Sequence, residues 1–362
     1  MTPAPIRWAL REGVARIRHV GAVPPRSATG TVARVYAAAE REFGLLPPPL
    51  ALHSPEPALL AASWLLLRET LLVEGRVDRA TKEAVAAAVS LRNACPYCVE
   101  VHGAVLGGVH GHADASALAA DRIDDIGDGA LRAAATWART GGPGTPPPVA
   151  PEDLPELLGV CLTFHHLNRM AHVFLGPSPL PPAVPRAARR TTLGVLGHVL
   201  RPAALRGVRP GLHLDLLPPA ELPGDLSWAA PDPLLAAALA RACRAVEAAG
   251  RRVLPDACRA AVAAALTAHP EGTAGLLLDE AAMLDAVPEA DRPIARLALL
   301  TALAPHRVGD AVVEAFRRRR PAAADLVGAA TWAAFTAARQ ATAASVRTAV
   351  QEKTPAPPRG DP

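Results

Sequence analysis

Long segments rich in alanine and leucine run through most of this chain and are separated by clusters of proline. Alanine and leucine are strong helix formers, whereas aromatic residues, which favour strands as β-branched residues do, make up only 3% of the sequence. No segment shows a convincing alternation of apolar and polar residues with a period of two. The sequence therefore predicts an all-α fold without a sheet, in which proline-rich stretches such as Pro143–Pro155 are connectors.

Apolar periodicity, together with the residues that start or stop helices, predicts several helices in the first half of the chain. The principal ones are Val32–Phe43, Pro57–Val73, Asp78 to about Leu91, Pro96–Leu106 and Leu154–Leu175. Asp78 is expected to cap the third of these helices. A break at Asn93 precedes the fourth, and Gly107 and Gly108 are expected to end it.

The length of 362 residues allows two domains of ordinary size. Composition predicts a catalytic helical domain over 1–200, a proline-rich linker over 201–226, a second helical domain over 227–350 and a disordered tail over 351–362. Asp78–Arg79 and Asp291–Arg292 each open an alanine- and leucine-rich helix, which suggests two tandem copies. Two alanine-rich helices can also look alike by composition alone.

The charge and hydropathy patterns argue against two classes of partner. The formal net charge is only +4 and no basic stripe with interleaved aromatic residues occurs, so we expect no nucleic-acid binding. The longest apolar candidate, Ala58–Leu67, is shorter than the roughly 18 residues of a membrane span, so we expect no membrane insertion. The arginine-rich N-terminus lacks the apolar stretch of a secretory signal, which predicts a cytoplasmic protein.

Cysteine is sparse and its number is odd. The five cysteines are Cys95, Cys98, Cys161, Cys243 and Cys258. In a cytoplasmic chain such a set is unlike a disulfide framework, and a close pair is more often catalytic or metal-binding. The last three have no close partner in the sequence and are interpreted as small core residues.

The close pair lies in a motif: Glu83, eleven residues, Cys95-Pro96-Tyr97-Cys98, three residues, and His102. Proline is favoured in the first turn of a helix, which places Cys95 at the cap and Cys98 at the third helical position. Unpaired backbone N–H groups and the helix dipole favour negative charge there. This position predicts thiols with a pKa below the ordinary cysteine value.

Two further residues extend the pair into a proton relay. His102 follows Cys98 by four residues, so both side chains share one helix face, about one turn apart. Glu83 lies on the preceding helix, which the short break folds back against this one, and its carboxylate can orient the imidazole. The two cysteines are close enough to form a disulfide after one is oxidised.

Other chemistries of the pair remain open. A structural zinc site needs about four ligands, whereas Cys95, Cys98 and His102 supply three and Glu83 is a poor fourth, so we predict no metal. Covalent haem attachment requires histidine directly after the second cysteine, where Val99 stands. A thioredoxin fold would place the pair after a strand in an α/β pattern, and the helical surroundings argue against it. A helical flavin-dependent thiol oxidase and two cysteines packed without function are the remaining alternatives, and we predict no bound cofactor.

With these residues in view, the sequence is identified as resembling the alkylhydroperoxidase AhpD-like proteins, part of the carboxymuconolactone decarboxylase-like family. The stretch from Asn93 to His102 looks like the motif of that family in full, and so does Glu83 at its spacing. The helix opened by Asp78–Arg79 and the later stretch Phe164–Arg169 are also typical. The resemblance covers about residues 30–176 well, and the second half resembles the degenerate partner domain of longer members.

The resemblance implies an all-α helical bundle, assembly into homo-oligomers, and an oxidoreductase that acts as a thiol-dependent peroxidase. It implies that the Cys95/Cys98 dithiol reduces a hydroperoxide, with electrons returned by a dithiol donor such as a lipoyl protein. By the same analogy Cys98 is attacked by the peroxide and Cys95 resolves it, an order that helix position alone leaves open. Members that decarboxylate lactones lack the cysteine pair, so that reaction is not expected.

One departure from the family concerns the residue between the cysteines. Some peroxidase members have a second histidine there, whereas this chain has Tyr97, whose hydroxyl is a weaker base near neutral pH. The alternatives to a peroxidase are a thiol–disulfide oxidoreductase that does not use peroxide and a non-catalytic helical assembly protein with a vestigial motif.

Three polar residues on the long later helix share one face. His165, Arg169 and His172 follow at intervals of four and three residues. They are expected either to line the pocket or a subunit contact, or to be buried polar residues that neighbouring helices satisfy.

Overall fold

The computed structural model describes residues 13–142, 145–269 and 278–351. It is about 70% helical, and no strand occurs among these residues. The prediction of an all-α fold is therefore confirmed. Among the described helices, none combines the length and the apolar character that crossing a bilayer requires.

Nine α-helices whose bounds lie within 13–142 and 145–269 precede the middle connector. They are α1 (Gly30–Glu42), α2 (Pro48–Ala51), α3 (Pro57–Leu67), α4 (Arg79–Arg92), α5 (Pro96–Val109), α6 (His112–Ala119), α7 (Gly129–Thr140), α8 (Leu154–Phe174) and α9 (Arg186–Ala204). A π-helical turn, Arg68–Leu72, extends α3, so that the predicted segment to Val73 is helical almost throughout. Asp78 caps α4 as predicted, because its carboxylate accepts the Thr81 backbone N–H at 3.0 Å.

The described residues after the connector form six more α-helices. They are α10 (Pro233–Val253), α11 (Asp256–Ala268), α12 (Glu280–Leu284), α13 (Arg292–Leu303), α14 (Asp310–Arg317) and α15 (Ala323–Gln351). The connector itself contains two 3₁₀ segments, Leu214–Leu216 and Gly224–Ala229. The predicted disordered tail, 351–362, lies outside the described residues except for its first position.

Helix α8 lies between two apolar cores and contributes to both. Leu158 and Phe164 belong to the core that α8 shares with α1, α3, α4 and α7. Leu162 and Phe174 belong to the core that α8 shares with α10, α13 and α15. The cysteine-bearing helix α5 packs against α4, α8 and α9, so the N-terminal half supplies its surroundings.

One pair of helix boundaries lies at equivalent positions of the predicted tandem repeat. Helix α4 begins at Arg79 and α13 begins at Arg292, at equivalent positions of the proposed repeat. The division into 1–200, 201–226 and 227–350 stays a prediction.

Two boundaries differ from those predicted. Helix α5 continues through Gly107 and Gly108 to Val109, and α9, which was not predicted, extends into the proposed linker. The reason is a close crossing of the two helices, since a β-carbon at Gly108 would lie 2.6 Å from the Gly197 carbonyl oxygen of α9. The glycines are therefore required for helix contact and do not terminate either helix.

Substitution within this crossing is expected to separate α9 from α5. A β-carbon at Gly197 would overlap the Ala104 carbonyl oxygen, a backbone atom that cannot move without its helix. We expect Gly197→Ala to lower the free energy of unfolding by about 1–3 kcal/mol, the usual cost of overpacking. Chemical denaturation measures this loss.

The matched control for this prediction is Gly194→Ala on the same helix. A β-carbon at Gly194 meets no atom within 4 Å. Alanine in an open helical position should stabilise the protein by about 0.5–1 kcal/mol. Equal effects of the two substitutions would contradict the close crossing.

Candidate active site

A sharp turn between α4 and α5 positions the first cysteine. Asn93 ends α4, and Ala94 adopts a left-handed backbone conformation with φ of 50°. The Cys95 backbone N–H then donates to the Ser90 carbonyl at 2.8 Å, which closes the end of α4. Cys95 is the N-cap of α5 and Pro96 its first residue, as the sequence predicted.

Both cysteines of the pair are buried and unpaired thiols in this structure. Cys95 is 2% exposed and Cys98 is 3% exposed, and their side chains are within hydrogen-bond reach of each other. Ala171 of α8 and Leu175, the residue directly after α8, pack against the pair. This arrangement presents a dithiol in which one sulfur can attack the other after oxidation.

The carboxylate and the imidazole of the motif are in direct contact. Glu83 Oε2 lies 2.6 Å from His102 Nδ1, and Glu83 Oε1 accepts from Arg79 Nε at 2.8 Å. Burial raises the pKa of Glu83, but the charges and hydrogen bonds of Arg79 and His102 outweigh it and leave the pKa below its ordinary value. Glu83 is therefore an ionised carboxylate that holds His102 in place.

This contact determines which nitrogen of His102 is free for proton transfer. In the neutral ring the carboxylate is best satisfied by a proton on Nδ1, which leaves the lone pair on Nε2. The ring packs edge-on against Phe164 of α8, with centroids 4.4 Å apart and planes at 82°. The imidazole of His102 is thus held in a fixed orientation.

The pKa of Cys98 differs from the sequence-based expectation. Its hydrogen bond to the Cys95 side chain, its burial and the charge of a Cys95 thiolate raise the pKa of Cys98 well above its ordinary value, while a hydrogen bond from Asn168 opposes the shift. The prediction of a lowered pKa is wrong for Cys98 in the dithiol state. The burial of Cys98 and its neighbouring sulfur raise the pKa by more than the N-terminal end of helix α5 lowers it.

An apolar cavity of about 300 Å³ ends at Cys98 and His102. Cys95 is not part of its wall. Its other walls include Phe43, Leu67, Phe164, Leu180 and Val199. The proline-rich segment after α8 and the unpredicted helix α9 close one side, so sequence reasoning missed part of the pocket.

Tyr97 also reaches this cavity. Burial, the largest effect, and the neighbouring Cys98 raise the pKa of Tyr97 above its ordinary value. Its hydroxyl therefore stays protonated at neutral pH and is a hydrogen-bond donor, in line with the expectation that it is a weaker base than histidine.

Of the three polar residues that share a face of α8, His165 and Arg169 are buried and His172 is half-buried, and each contacts a neighbouring segment. His165 Nδ1 lies 3.1 Å from the Asn93 side-chain nitrogen, and His172 Nε2 lies 3.0 Å from the Asn93 backbone oxygen. Arg169 Nε donates to the Ala302 carbonyl of α13 at 2.9 Å. None of the three lines the cavity. Of the two interpretations, the structure supports buried residues that hold the turn before Cys95.

The remaining cysteines have the character of core residues. Burial raises the pKa of Cys161 to about 12 and the pKa values of Cys243 and Cys258 to about 11. They are accordingly neutral thiols at physiological pH. Across 13–142, 145–269 and 278–351, no group of three or more His, Cys, Asp or Glu side chains is arranged to hold a metal ion.

The whole chain has a well-matched relative of known class. It is 40% identical over 331 residues to alkyl hydroperoxide reductase Rv2159c of Mycobacterium tuberculosis, and the match covers 90% of this chain and 93% of that protein. The chain belongs to the AhpD-like alkyl hydroperoxide reductase family. The match extends far beyond residues 30–176, so both halves of the chain are similar in sequence to this AhpD-like reductase.

The family prediction, and with it the prediction of an enzyme of the peroxidase oxidoreductase class, is confirmed by this relative. No family model matches the chain. No solved structure matches this AhpD-like protein either.

Two residues of the AhpD-like site were not among the predicted ones. Arg79 lies four residues before Glu83, a spacing that could have identified the ion pair. Asn168, on α8 and 70 residues further along the chain than Cys98, opposes the rise of the Cys98 pKa, and only its place in the typical stretch of α8 pointed to it.

Proposed function

We propose that this protein is a thiol-dependent peroxidase that reduces organic hydroperoxides through a Cys95/Cys98 dithiol–disulfide cycle. The observation that carries the proposal is a buried dithiol and a hydrogen-bonded Glu83–His102 pair, of which Cys98 and His102 line an apolar cavity. The alkyl hydroperoxide reductase at 40% identity supports the same class of reaction.

The first step consumes the hydroperoxide. His102 Nε2 accepts the Cys98 proton, and the resulting thiolate attacks the terminal oxygen of the hydroperoxide. The O–O bond breaks, an S–O bond forms, and the alkoxide leaving group takes the proton back from His102. The products are one alcohol and a Cys98 sulfenic acid.

The second step forms the disulfide. The Cys95 thiolate attacks the Cys98 sulfenic sulfur, so that an S–S bond replaces the S–O bond and water leaves after protonation. The two electrons that reduced the hydroperoxide thus come from two thiols. A dithiol donor, for which a lipoyl group has the required chemistry, then reduces the disulfide by thiol exchange.

The assignment of Cys98 as the attacked residue rests on the cavity. Cys98 and His102 are part of its wall, whereas Cys95 is not. The raised pKa of Cys98 makes a nearby base necessary, because little free thiolate forms at neutral pH. Homo-oligomeric assembly, which the family resemblance implies, and a cytoplasmic location, which was expected from the sequence, belong to the same proposal.

The proposal is tested by following hydroperoxide consumption with dihydrolipoamide as the electron donor. We expect cumene hydroperoxide to be converted to its alcohol, with one dithiol oxidised per peroxide. Thiol exchange with lipoamide but no loss of peroxide would instead establish a thiol–disulfide oxidoreductase. Absence of both reactions would favour a non-catalytic assembly protein.

A larger side chain in the cavity wall should lower the rate with a large peroxide more than the rate with a small one. Val199 forms part of the cavity wall and Leu193, on the same helix α9, does not. We expect Val199→Trp to lower kcat/KM for cumene hydroperoxide by about tenfold or more, the effect of a pocket misfit of 1–3 kcal/mol. The rate with hydrogen peroxide should change little, because this molecule needs little of the cavity.

The control is Leu193→Trp, which adds the same side chain outside the cavity. It should leave both rates close to those of the unmodified protein. A parallel decrease of both rates in Val199→Trp would show that the cavity does not hold the substrate.

A further inference from the structure

The cavity that ends at Cys98 opens to the surface at helix α9. Val195 of this helix lines the cavity and is also 51% exposed, so the cavity reaches the surface beside it. Thr192 and Val199, one turn before and one turn after, line the same wall and are half-buried. A volume of about 300 Å³ is at the lower end of the range for small-molecule sites. A substrate with a long apolar chain therefore extends out of the mouth past α9.

The outward face of α9 contains neither an acidic residue nor a lysine or arginine. Its exposed positions recur every three or four residues, and they are Ala187, Thr191, Val195, His198, Pro202 and, directly after the helix, Leu205. The solvent-facing side of a helix is normally charged or strongly polar. Four large hydrophobic side chains are exposed in the described part of the chain, and three of them are Val195, Leu205 and Leu212. Helices that lie in a membrane interface bury such a face among the lipids.

Positive charge borders this apolar face. Residues 157–214 contain seven arginines and no acidic residue. Arg190 and Arg201 are exposed and about three helical turns apart, so they lie on one side of α9. Arg189 is paired with Glu100 at 2.6 Å and contributes less. An apolar surface bordered by arginines complements a layer of anionic lipid headgroups.

We propose that α9 and the mouth of the cavity dock on an anionic membrane surface, and that the substrate is a hydroperoxide on an acyl chain of a membrane lipid. The inference rests on the proposed function, in which Cys98 is attacked at the inner end of the cavity. The acyl chain enters past Val195 without crossing water. The O–O bond breaks as in the first step described above, and a lipid with a hydroxyl group on its acyl chain returns to the bilayer.

This contact is with the membrane surface alone. It requires no helix that spans the bilayer, and none was found among the described helices. The expectation that the chain does not insert across a membrane is therefore compatible with it.

Binding is measured by sedimentation of the full chain with vesicles, without any peroxide. We expect binding to vesicles of equal parts phosphatidylcholine and phosphatidylglycerol, and weaker binding as the salt concentration rises. Arg190→Gln combined with Arg201→Gln should lower the affinity about fivefold per arginine, which is about 25-fold for the pair. Leu205→Gln should lower it about fivefold to tenfold, because apolar contact with the lipids is lost.

The matched control removes the same charge from another helix. Arg244 and Arg251 are both exposed on α10, outside the segment without acidic residues. Replacing both by glutamine should leave vesicle binding unchanged. A loss equal to that of the α9 pair would show that any positive charge on the protein serves, and would overturn the proposal.

The substrate is tested with a phosphatidylcholine hydroperoxide held in the same anionic vesicles. The Arg190→Gln and Arg201→Gln pair should lower the rate with this lipid in proportion to the loss of binding. It should leave the rate with cumene hydroperoxide unchanged, because neither arginine lines the cavity. A decrease of both rates by the same factor would contradict a role in membrane docking.

Three results of the binding experiment would reject or limit the account. Absence of binding to anionic vesicles, or equal binding to pure phosphatidylcholine, would overturn the membrane contact even if cumene hydroperoxide is reduced. Dissociation of an oligomer by Leu205→Gln, without vesicle binding, would instead assign the face to a contact between copies. Vesicle binding by a protein that reduces no hydroperoxide would reject the proposed peroxidase and its lipid substrate, while the docking surface would stand.

Discussion

Replacing Cys98 by serine is expected to abolish hydroperoxide reduction, with a rate decrease of about 10,000-fold or more, as when other enzymes lose their nucleophile. Serine cannot form the thiolate that attacks the peroxide, although its side chain fits the same buried position. Stopped-flow consumption of cumene hydroperoxide by fully reduced protein measures this rate. Cys161→Ser is a suitable control, because that thiol lies in the apolar core and outside the cavity.

Replacing Cys95 by serine should have a different effect. The first step survives, since Cys98 still faces the cavity, so one equivalent of peroxide is reduced and a sulfenic acid remains on Cys98. Further turnover stops because no disulfide can form. If Cys95→Ser loses the first step and Cys98→Ser retains it, the assignment of the two sulfurs must be reversed.

Removing the base is expected to give the second-largest effect. We expect His102→Gln to lower the rate of the first step by about 10²–10⁴-fold, the usual contribution of a positioned general acid–base group. The raised pKa of Cys98 makes this loss greatest at neutral pH. As pH rises towards that pKa the thiolate forms without help, so the variant should recover part of its rate at alkaline pH.

In the proposed relay Glu83 acts through His102, so its replacement should have an effect that depends on His102. Glu83→Gln removes the charge that holds the imidazole at 2.6 Å and should lower the rate by about 10²-fold or more. Adding Glu83→Gln to His102→Gln should change the rate little, because the partner of the carboxylate is already gone. Independent, multiplying effects would contradict a relay between these two residues.

The turn that carries the cysteines could be predicted because its determinants are local. Pro96 sets the first turn of α5, and Asp78 caps α4, so the ends of both helices are defined by neighbours in the sequence. The short break between them brings Glu83 and His102 together. The contact of these two side chains was predicted for this reason and is found in the structure.

Features that depend on packing between segments far apart in the sequence could not be predicted from local determinants. Pro202 was placed in the predicted linker, whereas it lies near the end of α9, and Gly197 permits the close crossing of α5 and α9. The pKa of Cys98 could not be inferred from its helix position, because burial and the neighbouring thiol reverse the expected shift. Asn168 affects the pKa of Cys98 only through the packing of α8.

The disulfide formed by a single turnover tests the central claim most directly. Fully reduced protein is mixed with one equivalent of cumene hydroperoxide, free thiols are alkylated, and the peptide containing Cys95 and Cys98 is analysed by mass spectrometry. The dithiol cycle predicts one equivalent of alcohol and a peptide in which both cysteines are unmodified and joined. Alkylation of both cysteines after the peroxide has been offered would contradict it.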